Sequence, residues 1–247
     1  MERNRALVMR TGGGAGPEGA EGVVLFLHGG RSDGLGRPRR WNLPALRMLP
    51  FARAVRAAAG GRGVVTGVVR YRHRGWNGGR ADALRDAEDA LTEVARRFGP
   101  VPVVLVGHSM GGRAALRAAG RTGVRGVVAL APWCPPDEPV DQLTGTRTVL
   151  LHGDADRITD PHGSLAFAAR ARAAGAAVCR LVVNSGDHAM LRRAPDWHRT
   201  TATLATGLLG LTSLPADVTS ALHNGPATTR LTGLALPLPR GGLAPGE

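Results

Sequence analysis

Val103-Val104-Leu105-Val106-Gly107-His108-Ser109-Met110-Gly111-Gly112 reads as a strand, a sharp turn and a helix, with one serine at the tip. Gly-x-Ser-x-Gly between an apolar β-run and a helix is the pattern of a nucleophile elbow. Such a turn holds its serine in a conformation that bulky neighbours would block, so Gly107 and Gly111 sit where space matters. Ser109 is therefore a candidate covalent nucleophile, provided that the chain supplies a base, an acid and an oxyanion hole.

Outward from the elbow, strands and helices alternate. Val23–Leu27 is a continuous apolar run and reads as a strand covered on both faces. A helix follows at 44–59, a strand at 64–71 and an amphipathic helix at 80–98, whose Leu84, Ala87, Leu91, Val94 and Phe98 recur at steps of three and four. After the elbow strand (101–106) and its helix (110–119) come strands at 124–131, 146–151 and 177–183, with helices at 162–174 and 196–210. This alternation indicates βαβ units, a mostly parallel sheet and helices on both of its faces. Residues 1–212 read as one α/β domain. The stretch 213–247 is rich in Pro, Gly, Thr and Ala with weak periodicity, and reads as a loosely attached tail.

Composition narrows the classes of function. The net charge of +13 comes from arginine alone, because the 247 residues include no lysine. The arginines are scattered along the chain and do not form the stripe of a nucleic-acid binder. Cys134 and Cys179 are too few for a disulfide framework or a zinc site, and no metal or cofactor is expected. No apolar run approaches membrane-spanning length and the first ten residues lack an apolar leader core, so a soluble, cytoplasmic chain is expected.

Groups that work with a serine should lie just past strand ends, at the C-terminal edge of a parallel sheet. Of eight histidines, His188 meets that condition best, in the turn Asn184-Ser185-Gly186-Asp187-His188 after the last strand. His28 belongs to a His-Gly-Gly turn and His152 precedes Gly153, and both read as structural; His108 adjoins the serine in the elbow, where neighbouring residues point in different directions. The acid should fall between serine and histidine in the chain. Asp156 is favoured, ahead of Asp154, which could brace its own turn. Asp160 before Pro161 reads as a helix cap, and Asp187 adjoins His188 but should point away from it. One oxyanion donor is the N–H of Met110; the other comes from the loop His28-Gly29-Gly30-Arg31, with Gly30 first and Arg31 next.

Four segments occur in order, each at a strand end: His28-Gly29-Gly30, Gly107-His108-Ser109-Met110-Gly111-Gly112, Gly153-Asp154-Ala155-Asp156 and Gly186-Asp187-His188. With them, the chain resembles the α/β-hydrolase superfamily over about residues 22–210, and is most like small bacterial serine hydrolases of the dienelactone-hydrolase and esterase/lipase types. Unlike dienelactone hydrolases, it carries serine as the nucleophile. The resemblance implies a central sheet of about eight strands and a Ser109–His188–Asp156 triad acting on a small acyl substrate, an ester, thioester or lactone. Many members carry a helical cap after the strand that follows the elbow helix. Here Cys134–Gly145 is too short for one, so an open site is expected, with Arg31, Trp76 and Trp133 as pocket candidates. The first family strands are weakly represented, with Ala6–Met9 supplying one. Arg113 reads as a solvated residue near the mouth. Acyl transfer or cyclisation would use the same triad; a non-catalytic binding protein would be expected to have lost part of it.

Overall fold

The computed structural model describes residues 7–11, 19–39, 41–227 and 231–246. Among the described residues, eight strands form one sheet in the order β1-β3-β2-β4-β5-β6-β7-β8. They are β1 (Leu7–Thr11), β2 (Gly22–Leu27), β3 (Val64–Val69), β4 (Val103–His108), β5 (Val124–Leu130), β6 (Arg147–Gly153), β7 (Val178–Val183) and β8 (Leu236–Pro237). β1 runs antiparallel on the edge beside β3; all other pairs are parallel. The expected edge strand thus exists at Leu7–Thr11, while Ala6 lies outside the described residues.

Among the described residues, six α-helices cover the two faces: α1 (Leu43–Ala58), α2 (Asp82–Phe98), α3 (Met110–Arg117), α4 (Pro161–Ala173), α5 (Ala194–Leu208) and α6 (Ala216–His223). Strand alternation divides the core cleanly. Val23, Leu25 and Leu27 of β2 pack with Leu105, Phe167 and the α2 residues Ala83, Ala87 and Ala90. Their neighbours Val24 and Phe26 face the other layer, with Phe51 of α1 and Trp197 of α5. Because successive strand residues point to opposite faces, a strand buried on both must be apolar throughout, which is what the run at 23–27 displays. Asp160 caps α4 by accepting from the His162 amide at 2.9 Å, with Pro161 in the first turn, as the sequence implied.

The chain passes from β2 outward to β3 and then returns to place β4 on the other side of β2. The strand order therefore reverses between β2 and β4, and ligands of open α/β sheets bind in the crevice at such a reversal. The His28-Gly29-Gly30 loop leaves β2, and Ser109 leaves β4, on the two sides of this crevice. Between Ala131 and Arg147 the chain forms only loop and the short 3-10 turn Asp141–Leu143, so no helical cap stands over it.

The reading of 213–247 as loosely attached is corrected for its described residues. α6 packs Val218 and Ala221 into the α1–α5 layer, and β8 extends the sheet beside β7. Leu234 and Leu238 are buried on opposite faces. Buried arginines replace the missing hydrophobic periodicity as the attachment: Arg172 donates to the Thr232 carbonyl, and Arg180 donates to that of Leu234 at 3.2 Å. Residues 228–230 and 247 lie outside the described part. Truncating the fully buried Leu234 to alanine should cost about 2–4 kcal/mol in urea unfolding. A loss below about 0.5 kcal/mol, the level of a surface change, would restore the loose-tail reading.

Candidate active site

β4 runs buried to His108, and the chain then turns sharply at Ser109, whose φ of 54° and ψ of −118° lie outside the ordinary regions for an L-residue. Such backbone costs on the order of 1–3 kcal/mol and persists only where its surroundings enforce it. Here the enforcement is backbone contact. A Cβ on Gly107 would lie 2.2 Å from the Gly111 carbonyl oxygen, and one on Gly111 would lie 2.2 Å from that of Leu27. α3 can start directly against β2 and β4 only because both positions lack side chains. Ser109 is left 8% exposed at the crevice, beside the positive end of α3.

The loops after β6 and β7 bring Asp156 and His188 together. His188 Nδ1 lies 2.8 Å from Asp156 Oδ2; an ionised carboxylate can only accept, so Nδ1 carries the proton and Nε2 has the free lone pair. Asp156 is wholly enclosed and fully used. Its Oδ1 accepts from the amides of Ile158 (2.8 Å) and Thr159 (3.0 Å), and its Oδ2 also accepts from Thr159 Oγ1 (2.9 Å). Burial alone would push this carboxyl up. The hydrogen bonds from His152, His188 and the two amides outweigh burial and hold it well below the usual carboxylate range. The competing carboxylates are occupied elsewhere: Asp154 accepts from the Ser185 amide (2.6 Å) and Asp187 from that of Arg192 (2.8 Å). Among the described residues, Ser109 Oγ makes no hydrogen bond to His188; such bonds often close only when substrate binds.

Two histidines that the sequence sets aside, His152 and His108, touch these groups. His152 Nε2 reaches Asp156 Oδ2 at 3.2 Å, and its Nδ1 meets Ser164 Oγ at 2.8 Å, which in turn accepts from Arg180 Nε at 3.0 Å. The Ser164 hydroxyl has one proton and two acceptors, the Pro161 carbonyl at 2.9 Å and His152 Nδ1; turned to His152, with Arg180 still donating to Pro161 at 3.0 Å, it leaves the imidazole proton on Nε2 for Asp156. His108 donates Nε2–H to the His188 backbone carbonyl at 2.9 Å, tying the histidine loop to the elbow. Burial, and then the neighbouring His188, push the His108 imidazole down to about 3, so it stays neutral. The only sequence signal for these contacts is the position of each histidine at the end of an apolar strand.

In the first loop, the Arg31 amide is committed to the Arg74 carbonyl at 3.0 Å, whereas the Gly30 amide has no hydrogen bond among the described residues. That favours Gly30 over Arg31 as a free donor. A Cβ on Gly30 would meet Met110 Cε at 2.4 Å, which places the loop against the residue after the serine. The aromatic candidates are engaged differently than expected. Trp76 is 3% exposed, and the Arg113 guanidinium sits 4.1 Å from its ring and 4.4 Å from that of Trp133. Arg113 also pairs with the buried Glu138 at 2.6 Å. It is thus a packed, neutralised residue and not a solvated one, because the two rings and a carboxylate replace its water. Trp133 is half-buried in the same stack, and Arg31 is exposed.

Residues 24–240 match the sequence pattern of the alpha/beta hydrolase family. The chain belongs to that family. No curated protein sequence matches this alpha/beta hydrolase. Among solved structures, it is similar to an alpha-beta serine hydrolase homologue from Coxiella burnetii, at 15% identity and a TM-score of 0.60, over 79% of this chain and 89% of that one. It is also similar to Est1E from Butyrivibrio proteoclasticus with ferulic acid bound (11% identity, TM-score 0.62, 83% and 95% covered). A third is a thermophilic esterase from Thermogutta terrifontis with butyrate bound (17%, 0.61, 83% and 88%). At these identities the likeness speaks for the fold.

Because the Asp156 carboxyl is held low in the folded chain, its contacts favour folding fully above the unfolded pKa of about 3.9 and are lost as pH falls through the folded value. Asp156→Asn should therefore cost about 1–3 kcal/mol at pH 7, and the gap from wild type should narrow below about pH 4. Equal urea midpoints at pH 7 would refute the assignment of Asp156 as a charged, multiply bonded centre.

Proposed function

We propose that this alpha/beta hydrolase cleaves a carboxylic ester, or a thioester or lactone, through an acyl-enzyme on Ser109. The observation that carries the reading is the 2.8 Å bond between His188 Nδ1 and the buried carboxylate of Asp156, at the crevice that Ser109 faces. With Nδ1 so fixed, Nε2 of His188 is the nitrogen free to take the serine proton as Oγ attacks the acyl carbon. The carbonyl oxygen becomes negative, and the amides of Met110 and Gly30 stabilise it. His188 then gives its proton to the leaving alcohol or thiol, and the acyl-enzyme remains. Water enters, gives its proton to His188, attacks the acyl carbon and releases the acid with Ser109 restored. Asp156 keeps the imidazole in one tautomer and balances its charge while it is protonated. The absence of a cap among the described residues favours access by water, and so hydrolysis over acyl transfer.

A fluorophosphonate probe should add mass to the folded protein at Ser109 and nowhere in Ser109→Ala. A panel of p-nitrophenyl esters of graded acyl length should give turnover that falls at least about 10³-fold in Ser109→Ala, and about 10²–10⁴-fold in Asp156→Asn. Unlabelled Ser109 in folded protein, or ester turnover that survives Ser109→Ala, would overturn the reading.

A further inference from the structure

A cavity of about 510 Å³ opens between α1 and the C-terminal ends of β2 and β3. That volume lies in the range of small-molecule sites. Ala45, Leu49 and Ala52 of α1, with Val68 of β3, give it an apolar floor, and the buried Tyr71 closes one side. Arg37, Arg39, Arg53, Arg56, Arg70 and Arg72 surround it, and among the described residues no carboxylate lines it. Six arginines among 17 lining residues exceed what the chain's general arginine content explains, since only 32 of 247 residues are basic. Arg72 is neutralised by Asp86 and Asp89, and Arg56 donates to Thr66 Oγ1 at 2.9 Å. Among the described residues, Arg37, Arg39, Arg53 and Arg70 have no hydrogen bond or ion pair.

Like charges gathered around an apolar hollow repel one another, and an anion seated among them relieves that repulsion. The guanidinium fork matches the paired oxygens of a carboxylate or phosphate. An apolar floor under a cationic rim suits a ligand with both characters. The cavity is distinct from the serine site in its lining. None of Ser109, Asp156 or His188 lines it; the residue nearest them in the chain that does is the buried His28, whose ring packs 4.3 Å from Tyr71 and is met at Nε2 by Asn42 at 3.4 Å.

We propose that this cavity binds a small amphiphilic anion, an apolar chain ending in a carboxylate or phosphate, at a site separate from that of Ser109. The test is calorimetric titration of the full chain with octanoate and octyl phosphate below their micelle concentrations, with 1-octanol and inorganic phosphate as single-character controls. Either anion should bind once per chain and at least about tenfold more tightly than both controls, which is the effect of one charge-assisted contact. The exposed double variant Arg53→Gln/Arg70→Gln should weaken binding at least about tenfold with an unchanged thermal midpoint, and Ala45→Trp should abolish it by filling the floor. Protein already labelled at Ser109 should bind within about twofold of unlabelled protein. Equal binding by 1-octanol, no effect of the arginine variants, or loss of binding on labelling would each overturn the proposal. Because the titrations of unlabelled protein and of the arginine and Ala45 variants read no turnover, their result is independent of whether Ser109 is a nucleophile; only the labelled arm rests on that reading.

Discussion

The contact on which this architecture turns is between backbones. The first turn of α3 lies against the Leu27 and His28 carbonyls, and Gly107 lies against the carbonyl of Gly111, at separations that no Cβ could enter. This packing fixes the strained dihedrals of Ser109, sets the helix end behind it, and holds the Gly29–Gly30 loop beside it. It also joins β2 to β4 at the place where the strand order reverses. Helix, serine and loop are therefore one rigid object before any other candidate residue is considered.

Onto that object the histidine loop is fastened by His108, and the acid is fastened by a buried polar chain. Asp156 gains its charge stability from donors that arrive from three directions: its own loop, His188, and His152 backed by Ser164 and Arg180. A carboxylate with this many donors stays ionised and stays put, as a charge partner for an imidazole must. The arrangement places the cost of burying a charge far from the serine and spreads it over residues from β6, α4 and β7.

The parts of the site legible in the sequence are those governed by local rules. The elbow announces itself because glycine is obligatory on both sides of the serine, and His188 and Asp156 because they follow apolar runs in a fixed order. The strands were legible because burial on both faces forbids polar residues. What escaped was long-range. The bond from His108 to His188 joins residues 80 apart, and nothing near His152 signals that its ring reaches Asp156. Trp76 and Trp133 read as pocket walls because their loops lie on the correct edge, yet Arg113 occupies the space between them. The C-terminal stretch lacked periodicity because its buried apolar residues are spread over one short helix and the residues flanking a two-residue strand, and the rest of its attachment uses arginine side chains and backbone carbonyls, which leave no hydrophobic pattern.

Arg180 carries a consequence beyond its own strand. One edge of its guanidinium grips the Leu234 carbonyl, and its Nε supports the Ser164 hydroxyl on which His152 rests. The last segment of the chain and the acid of the candidate site thus share one cation. The C-terminal segment is therefore tied to the Asp156 carboxylate through side chains alone, Arg180, Ser164 and His152, whereas the elbow is held by backbone contacts among β2, β4 and α3 in which that segment takes no part.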